Sequence, residues 1–224
     1  MMTNLFSTFD PATSLNYSFN WLSTFLGFML IPLSFWILPG RLMIMFYMIT
    51  HKLNYEFKLL LGIKYKGMTL MMISLFIFIL LNNFLGLMPY IFTSSSHMTF
   101  SLTLALPMWL SLMIFGWSQH TNKMLAHLVP NGTPALLMPF MVMIETISSF
   151  IRPGSLAVRL TANMIAGHLL MSLLGNKSVY NNDVTLILII ISQTFLMMFE
   201  MAVALIQAYV FSILATLYSK EVMY

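Results

Sequence analysis

Residues 67–90 read GMTLMMISLFIFILLNNFLGLMPY, and residues 98–118 read MTFSLTLALPMWLSLMIFGWS. Both stretches belong to a long segment, Gly67 to Asn122, that contains no Asp, Glu, Lys or Arg. The polar turn TSSSH at 93–97 separates them. A helix needs about 20 apolar residues to cross the hydrocarbon core of a bilayer. The two stretches therefore predict two membrane helices, at about 68–90 and 98–118, joined as a hairpin.

The composition of the 224-residue chain indicates the same class of protein. Charged residues make up 7% of the chain and apolar residues 59%, whereas a soluble domain carries about 25% charged residues. This excludes a soluble enzyme and a disordered chain. The chain has no cysteine, which excludes disulfides, thiolate zinc sites and iron–sulfur clusters. Its net charge of +4 comes from ten Lys and Arg against six Asp and Glu, which is too few basic residues for a nucleic-acid-binding surface.

Three further apolar segments complete the predicted fold. The first covers about 20–38, and the other two cover about 134–174 and 184–219. The last two segments are longer than a perpendicular crossing of the bilayer requires, so they must tilt, break or lie partly along the membrane. Between these segments, Met43–Leu61 mixes apolar and basic residues and predicts a short surface helix. We therefore expect an all-α integral membrane protein with about five membrane helices plus a surface helix, the last two membrane helices long and strongly tilted.

The chain is predicted to form a single membrane domain. Its parts are the first span with a basic segment (1–66), the helical hairpin (67–122) and two long helices (130–219). Lys and Arg collect on the cytoplasm-like side of a membrane, and the segment 41–66 carries five of them against one acidic residue. This predicts that the N-terminus lies on the opposite side and the C-terminus on the same side as 41–66.

The last two helical regions contain four deeply placed ionisable residues: Glu145, Arg159, His168 and Glu200. A charge at the bilayer centre costs about 2.5–3.5 kcal/mol on insertion scales, so such residues are candidates for function. A structural ion pair or snorkelling to the interface is the alternative. For Arg159 function is favoured, because no carboxylate lies three or four residues away to neutralise it. For Arg152, which precedes Pro153-Gly154, both interpretations stay open.

Heptad spacing groups these residues into two stripes. Glu145, Arg152 and Arg159 recur every seven residues and share one face of a continuous helix, with Asn163 one turn further on. On the last helix the second stripe is formed by Gln193, Glu200 and Gln207. His168 lies on about the opposite face from Arg159 and could pair with Glu200.

Such a ladder of groups suits a proton relay, because His and Glu both exchange protons. Arginine does not deprotonate in proteins, so Arg159 would act as a fixed cation. The anion that Arg159 needs is expected to come from a partner chain. No nucleotide-binding motif is present. His120 and His127 have no carboxylate nearby in the sequence, and we interpret them as interfacial histidines. We expect neither a metal nor a cofactor.

The stretch SLAVRLTANM at 155–164 resembles the signature of subunit a of the F-type ATP synthase. Several surrounding residues resemble the same family: Gly132-Thr133-Pro134, Pro139, Glu145, Arg152-Pro153, Gly167-His168-Leu169-Leu170, Glu200 and Gln207. The combination of His168 with Glu200 is similar to that of mitochondrial members. The 23 methionines agree with a mitochondrial, animal version.

The resemblance implies a stator that faces a rotating ring of c-subunit proteolipids, each with a membrane-embedded carboxylate. Protons would reach the ring by way of His168 and Glu200 and leave near Glu145. Arg159, with Asn163 and Gln207 beside it, would separate two offset half-channels, and Gln193 lies on the same stripe as Glu200.

The chain would not be an enzyme on its own but the proton-channel subunit of the multi-subunit ATP synthase. Its implied location is the mitochondrial inner membrane, with the N-terminus in the intermembrane space and the C-terminus toward the matrix. The implied partners are the c-ring, the peripheral stalk, other small membrane subunits, protons and the lipid bilayer.

Two other classes of function compete with this interpretation. One is a secondary ion or anion transporter with Arg159 in its substrate site, although the chain has no inverted repeat of the kind many transporters show. The other is a purely structural assembly subunit, which would not require charged residues on two membrane helices. The loss of substrate binding, of coupled proton flow or of neither in Arg159 variants would distinguish the three.

Overall fold

The computed structural model describes residues 5–14, 17–33, 36–62, 66–129, 134, 137–178 and 183–223. The regular structure of these residues is helical. The α-helices are, in order, α1 Ser23–Met29, α2 Arg41–Leu61, α3 Lys66–Gly86, α4 Met98–Gln119, α5 Thr121–His127, α6 Met138–Ser178 and α7 Asp183–Met223. Three short 3₁₀ turns, Leu5–Phe9, Phe19–Leu22 and Ser94–Ser96, complete them. Lys64, Gly132 and Thr133, on which parts of the predictions rest, lie outside the described residues.

Within the described residues, four helical segments are long and apolar enough to cross a membrane: Gly67–Gly86, Met98–Gln119, Met138–Ser178 and Val184–Val222. The prediction of an all-α membrane protein is therefore confirmed. The hairpin of α3 and α4 is joined through the buried serine turn at 94–96, where the sequence placed its polar turn. α3 ends four residues before the predicted boundary, at Gly86 rather than near residue 90.

The first predicted span, 20–38, is not one continuous helix in the described residues. α1 has seven residues, which corresponds to about 10 Å of helix, and its backbone hydrogen bonds end at Ile31. Pro32 follows, and a proline has no N–H with which to continue the ladder. The next helix in the described chain begins only at Arg41.

The predicted surface helix at Met43–Leu61 is present as α2, but one end of it belongs to the core. Leu53, Phe57 and Leu61 are buried, and α2 packs against both α3 and α7. The first half of the helix stays exposed, with Leu42, Met45 and Tyr47 on its surface. α2 is therefore a surface helix in its first half and a packed helix in its second.

α6 and α7 each have 41 residues, or about 60 Å of helix. This is twice the roughly 30 Å of a bilayer core, so neither helix can cross it perpendicular to the plane. α6 runs without interruption through Pro153, a position at which the sequence left a break open. Because the helix is continuous, residues seven apart on it do share a face.

The packing of α6 and α7 determines which side chains stay accessible. The buried stripe of α6 consists of Leu156, Ala157, Leu160, Thr161 and Met164. The buried stripe of α7 is built largely from small residues: Ala204, Ala208, Ser212, Ala215, Thr216 and Ser219. Small side chains let neighbouring membrane helices approach closely, and α7 packs against both α3 and α6. The opposite face of α6 is left exposed.

Candidate functional site

Arg159 lies on the exposed face of α6, away from the buried stripe. Among the described residues, no carboxylate lies within ion-pair distance of its guanidinium. A fixed cation in a membrane helix requires an anion or a polar environment. The geometry therefore leaves Arg159 available to a group outside this chain.

Arg152, one heptad earlier, has the opposite environment. Its Nη2 lies 3.2 Å from Oε1 of Glu145, and its Nη1 pairs with Oε2 of Glu221. The guanidinium also lies over the ring of Tyr218, 5.5 Å from the centroid. The second carboxylate oxygen of Glu221 lies 3.3 Å from Nε2 of His127. We call His127, Glu145, Arg152 and Glu221 the Arg152 cluster.

The Arg152 cluster contains two residues that the sequence did not bring together with Arg152. Glu221 lies 69 residues further along the chain, and His127 was interpreted as an interfacial histidine without a carboxylate. One signal for Glu221 was available, because the stripe of Gln193, Glu200 and Gln207 reaches it after two more heptads. Arg152 forms an ion-pair network, as one of the two interpretations left open by the sequence predicts.

His127, Glu145 and Glu221 also offer ligand atoms that all lie within 4.8 Å of one another. Imidazole and carboxylate groups are common ligands of zinc. Both carboxylates are, however, already paired with the Arg152 guanidinium. A metal ion would have to displace that cation or tolerate its charge, so the chemistry of the cluster favours an ion-pair network.

A cavity of about 850 Å³ opens beside the second half of α6. Polar groups from four parts of the chain line it, namely Asp10, Thr93, His168, Gln193 and Glu200. The Phe9 ring meets the His168 ring edge-on, with centroids 6.2 Å apart. We call this space the His168 cavity. Its lining includes polar groups that could bind water, and the cavity is large enough to hold water.

His168 and Glu200 face the same cavity without a hydrogen bond between them. Nε2 of His168 and Oε1 of Glu200 are buried and have no hydrogen-bond partner among the described atoms. Buried polar groups are normally paired, by protein or by water. The two groups, which the sequence analysis suggested could pair, therefore line the same cavity, and no hydrogen bond joins them among the described atoms.

Gly167 allows Glu200 to approach α6. A Cβ atom at position 167 would lie 2.7 Å from Oε1 and from Cδ of Glu200, closer than real Cβ contacts. Any other residue would push the carboxylate away. Sequence reasoning noted Gly167 only as part of the family-like motif and did not foresee this contact.

A second cavity, of about 390 Å³, shares Glu200 with the first. Asn163 on α6 and Gln207 on α7 line it, and we call it the Gln207 cavity. One polar residue of the α6 stripe, Asn163, and two of the α7 stripe, Glu200 and Gln207, therefore line the same cavity. A third cavity, of about 360 Å³, contains Glu145, Arg152 and Glu221.

These groups follow one another along α6. The Arg152 cluster lies nearest its N-terminal end, Arg159 comes about 10 Å later, and Asn163 about 6 Å after that. His168 lies about 14 Å beyond Arg159. Arg159 thus stands between the cavity of the Arg152 cluster and the cavities that contain Glu200.

Comparison with known proteins identifies the family. Residues 17–220 match the profile of the family described as ATP synthase A chain. The chain belongs to this family. Proteins named ATP synthase subunit a are similar over 99% of this chain and their full length: 62% identical in Anopheles quadrimaculatus, 60% in Locusta migratoria and 59% in Drosophila melanogaster. The predicted resemblance, including its animal character, is confirmed.

Membership of the ATP synthase A chain family and the four membrane-capable helices make the chain a multi-pass membrane protein. The match covers α2 to α7 almost completely. Arg159 lies inside the matched range, as do His127, Glu145 and Arg152 of the Arg152 cluster, whereas Glu221 lies one residue beyond it.

Proposed function

We propose that the chain is the proton-conducting stator subunit in the membrane sector of an ATP synthase, and that it does not catalyse ATP synthesis itself. The observation that carries this proposal is the position of Arg159. It is an exposed cation on a membrane helix, without an ion pair among the described residues. Along α6 it lies between a cavity lined by Glu145 and a cavity lined by Glu200. A ring of c-subunit proteolipids, each with a carboxylate, would provide its anion.

The proposed uptake path begins in the His168 cavity. His168, Gln193 and Glu200 line it, and Glu200 also reaches the Gln207 cavity. Since imidazole and carboxylate groups exchange protons, they can pass a proton inward through water in the cavity. Asn163 and Gln207 would provide polar side chains along the last part of the path, next to the ring.

Arg159 would separate uptake from release. A guanidinium keeps its proton, so it cannot serve as a relay. Its charge favours the ionised form of a carboxylate that comes close, and each arriving c-subunit would therefore release its proton there. The same positive charge opposes the direct passage of a hydrated proton from one cavity to the other.

Release would take place at the Arg152 cluster. Glu145 lies in its cavity, as the resemblance implied for the release path, and Glu221 and His127 add two further groups that exchange protons. Arg152 holds both carboxylates close together. A proton from the ring could thus pass through this network toward the end of α6 at Met138.

The proposed location is the mitochondrial inner membrane, with the N-terminus in the intermembrane space and the C-terminus toward the matrix. The Arg152 cluster would then face the matrix, because it contains Glu221 near the C-terminus. The proposed partners are the c-ring, the peripheral stalk and other small membrane subunits.

The membrane potential would supply the driving force for this proton flow. Each proton crossing would release about 2.3 kcal/mol per 100 mV of membrane potential.

The decisive experiment replaces Arg159 in the complete complex. Arg159→Ala should abolish ATP synthesis driven by a proton gradient, at least 100-fold below wild type, while the complex still assembles. Synthesis and passive proton flow are measured in the same reconstituted vesicles, and native gel electrophoresis checks assembly. Arg159→Lys is the matched variant, because it keeps the charge but loses the planar guanidinium.

An assembled Arg159→Ala complex that makes ATP at the wild-type rate would rule out this mechanism. Loss of the binding of a small anion, with no change in coupled proton flow, would instead favour a transporter with Arg159 in its substrate site.

A further inference from the structure

The first described segment of the chain closes one side of the His168 cavity. The 3₁₀ turn Leu5–Phe9 packs against α6, and residues 7–10 and Ala12 line the cavity. Phe9 touches the His168 ring. This segment lies outside the membrane-capable helices, so it forms the rim of the cavity and not a part of its membrane walls.

Asp10 places a carboxylate on this rim. The residue is exposed and lines the same cavity as His168 and Glu200. Of the residues described in that lining, Asp10 is the one carboxylate that does not belong to a membrane helix. The groups that face it across the cavity are His168 on α6, Glu200 on α7 and the phenol of Tyr90 in the link between α3 and α4.

Local hydrogen bonds hold Asp10 in this position. The side-chain amide of Asn20 donates to the Asp10 carbonyl over 3.1 Å, and the Ala12 N–H donates to Oδ1 of Asp10 over 3.0 Å. These contacts fix the backbone of the segment over the cavity and occupy one carboxylate oxygen. The side chain stays accessible to solvent, in contrast to the buried Oε1 of Glu200.

We propose that Asp10 is a proton-collecting residue at the mouth of the His168 cavity. The inference rests on the proposed function, since it assigns a further residue to the same proton path. A negative charge at the mouth of a low-dielectric cleft raises the local concentration of cations. The Asp10 carboxylate takes a proton from hydronium in the bulk and returns it to cavity water, from which Glu200 accepts it.

The size of the effect follows from a single, partly screened charge. With an effective dielectric constant of about 20 and a screening length of about 10 Å at 0.1 M salt, an elementary charge about 10 Å away changes the local proton concentration by about three-fold. The effect should depend on salt, because the screening length falls from about 30 Å at 0.01 M to about 3 Å at 1 M. A structural role of the segment would show neither a pH shift nor this salt dependence.

The experiment uses the complete ATP synthase reconstituted in liposomes. The pH on the uptake side is varied at constant matrix-side pH and constant membrane potential, and the initial rate of ATP synthesis is measured. For Asp10→Asn we expect the half-maximal rate at about 0.5 pH unit lower than wild type, which is the three-fold change. The maximal rate at saturating acid should be unchanged.

Asp10→Glu is the matched control, because it keeps the charge at the same place and should retain the wild-type midpoint. At 1 M salt the midpoints of wild type and Asp10→Asn should coincide. An Asp10→Asn midpoint equal to that of wild type at low salt would overturn the inference, as would a lower rate at every pH without a shift. In either case, proton-driven ATP synthesis by the wild-type complex reconstituted in parallel would leave the proposed function unaffected.

Discussion

Arg152 and Arg159 are the same residue type on the same helix, seven residues apart, and their surroundings differ completely. Arg152 is partly buried and paired with two carboxylates and an aromatic ring. Arg159 is exposed, with no ion pair among the described residues. The difference arises because α7 ends beside Arg152 and brings Glu221 to it, whereas the exposed face at Arg159 meets no other helix of the described chain.

The contrast extends to the groups around each arginine. The Arg152 cluster satisfies its charges within the chain. Beyond Arg159, Nε2 of His168 and Oε1 of Glu200 are buried, with no hydrogen-bond partner in the part of the chain that the structure describes. The N-terminal end of α6 thus carries an ion-pair network formed within the chain. Its C-terminal end carries polar groups that can still bind water, a proton or a partner. In the proposed function the unpaired groups receive protons and the paired network releases them.

Glu200→Gln should produce the largest effect of the variants that separate the two ends. The amide has nearly the same shape but cannot carry a proton, and loss of a proton-transfer group costs about 100-fold or more in rate. We expect ATP synthesis and proton flow to fall together in an assembled complex. Glu56→Gln, at an exposed carboxylate on α2, is the control. Unchanged proton flux would remove Glu200 from the path.

Arg152→Gln tests the paired end. It leaves Glu145 and Glu221 close together without their shared cation, which should destabilise the packing of α6 and α7 by about 1–2 kcal/mol at this partial exposure. We expect a roughly ten-fold slower synthesis that stays coupled to proton flow, unlike the loss predicted for Arg159→Ala. Glu221→Gln in the Arg152→Gln background should restore part of the thermal stability. If Glu221→Gln lowered the thermal stability of the Arg152→Gln variant further, so that the losses of the two substitutions simply added, the ion-pair network would be contradicted.

Gly167→Ala should have a smaller effect, of about three- to ten-fold on the rate. The added Cβ would meet the Glu200 carboxylate at 2.7 Å, so Glu200 must move by a few tenths of an ångström or more, and proton transfer depends on such distances. Gly175→Ala on the same helix is the matched control, since nothing lies within 4 Å of a Cβ there. If both variants synthesise ATP equally fast, the close approach has no role in the path.

Tyr209→Phe should show the smallest effect, since its hydroxyl donates to Oε2 of Glu56 on α2 over 3.0 Å at an exposed position. An exposed hydrogen bond of this kind contributes about 0.5–1 kcal/mol. We expect a slightly lower unfolding temperature of the extracted complex and no change in proton flow. Tyr55→Phe, at an exposed tyrosine of α2, should leave that temperature unchanged. A strong fall in synthesis would show that the α2–α7 contact takes part in the proton path.

The long helices from α3 onward could be predicted well because their signals are local. Two uncharged apolar stretches located α3 and α4, and the length of the last two segments showed that α6 and α7 exceed a perpendicular crossing. The heptad stripe placed Glu145 and Arg152 on one face, and they are ion-paired. The prediction of one continuous span at 20–38 was wrong. It relied on the apolar composition of the segment and gave too little weight to Pro32, which cannot continue the hydrogen-bond ladder of a helix.

The sequence by itself determined the class of protein, the helix order and the family-like signature around Arg159. Composition, apolar length and heptad spacing are properties of neighbouring residues, and a membrane helix satisfies its backbone within itself. Only the tertiary structure decided which charges are paired. Glu221 meets Arg152 across 69 residues, Gly167 makes room for Glu200 across 33, and Asp10 shares a cavity with both His168 and Glu200. Such contacts depend on how helices pack in three dimensions, which local sequence patterns do not specify.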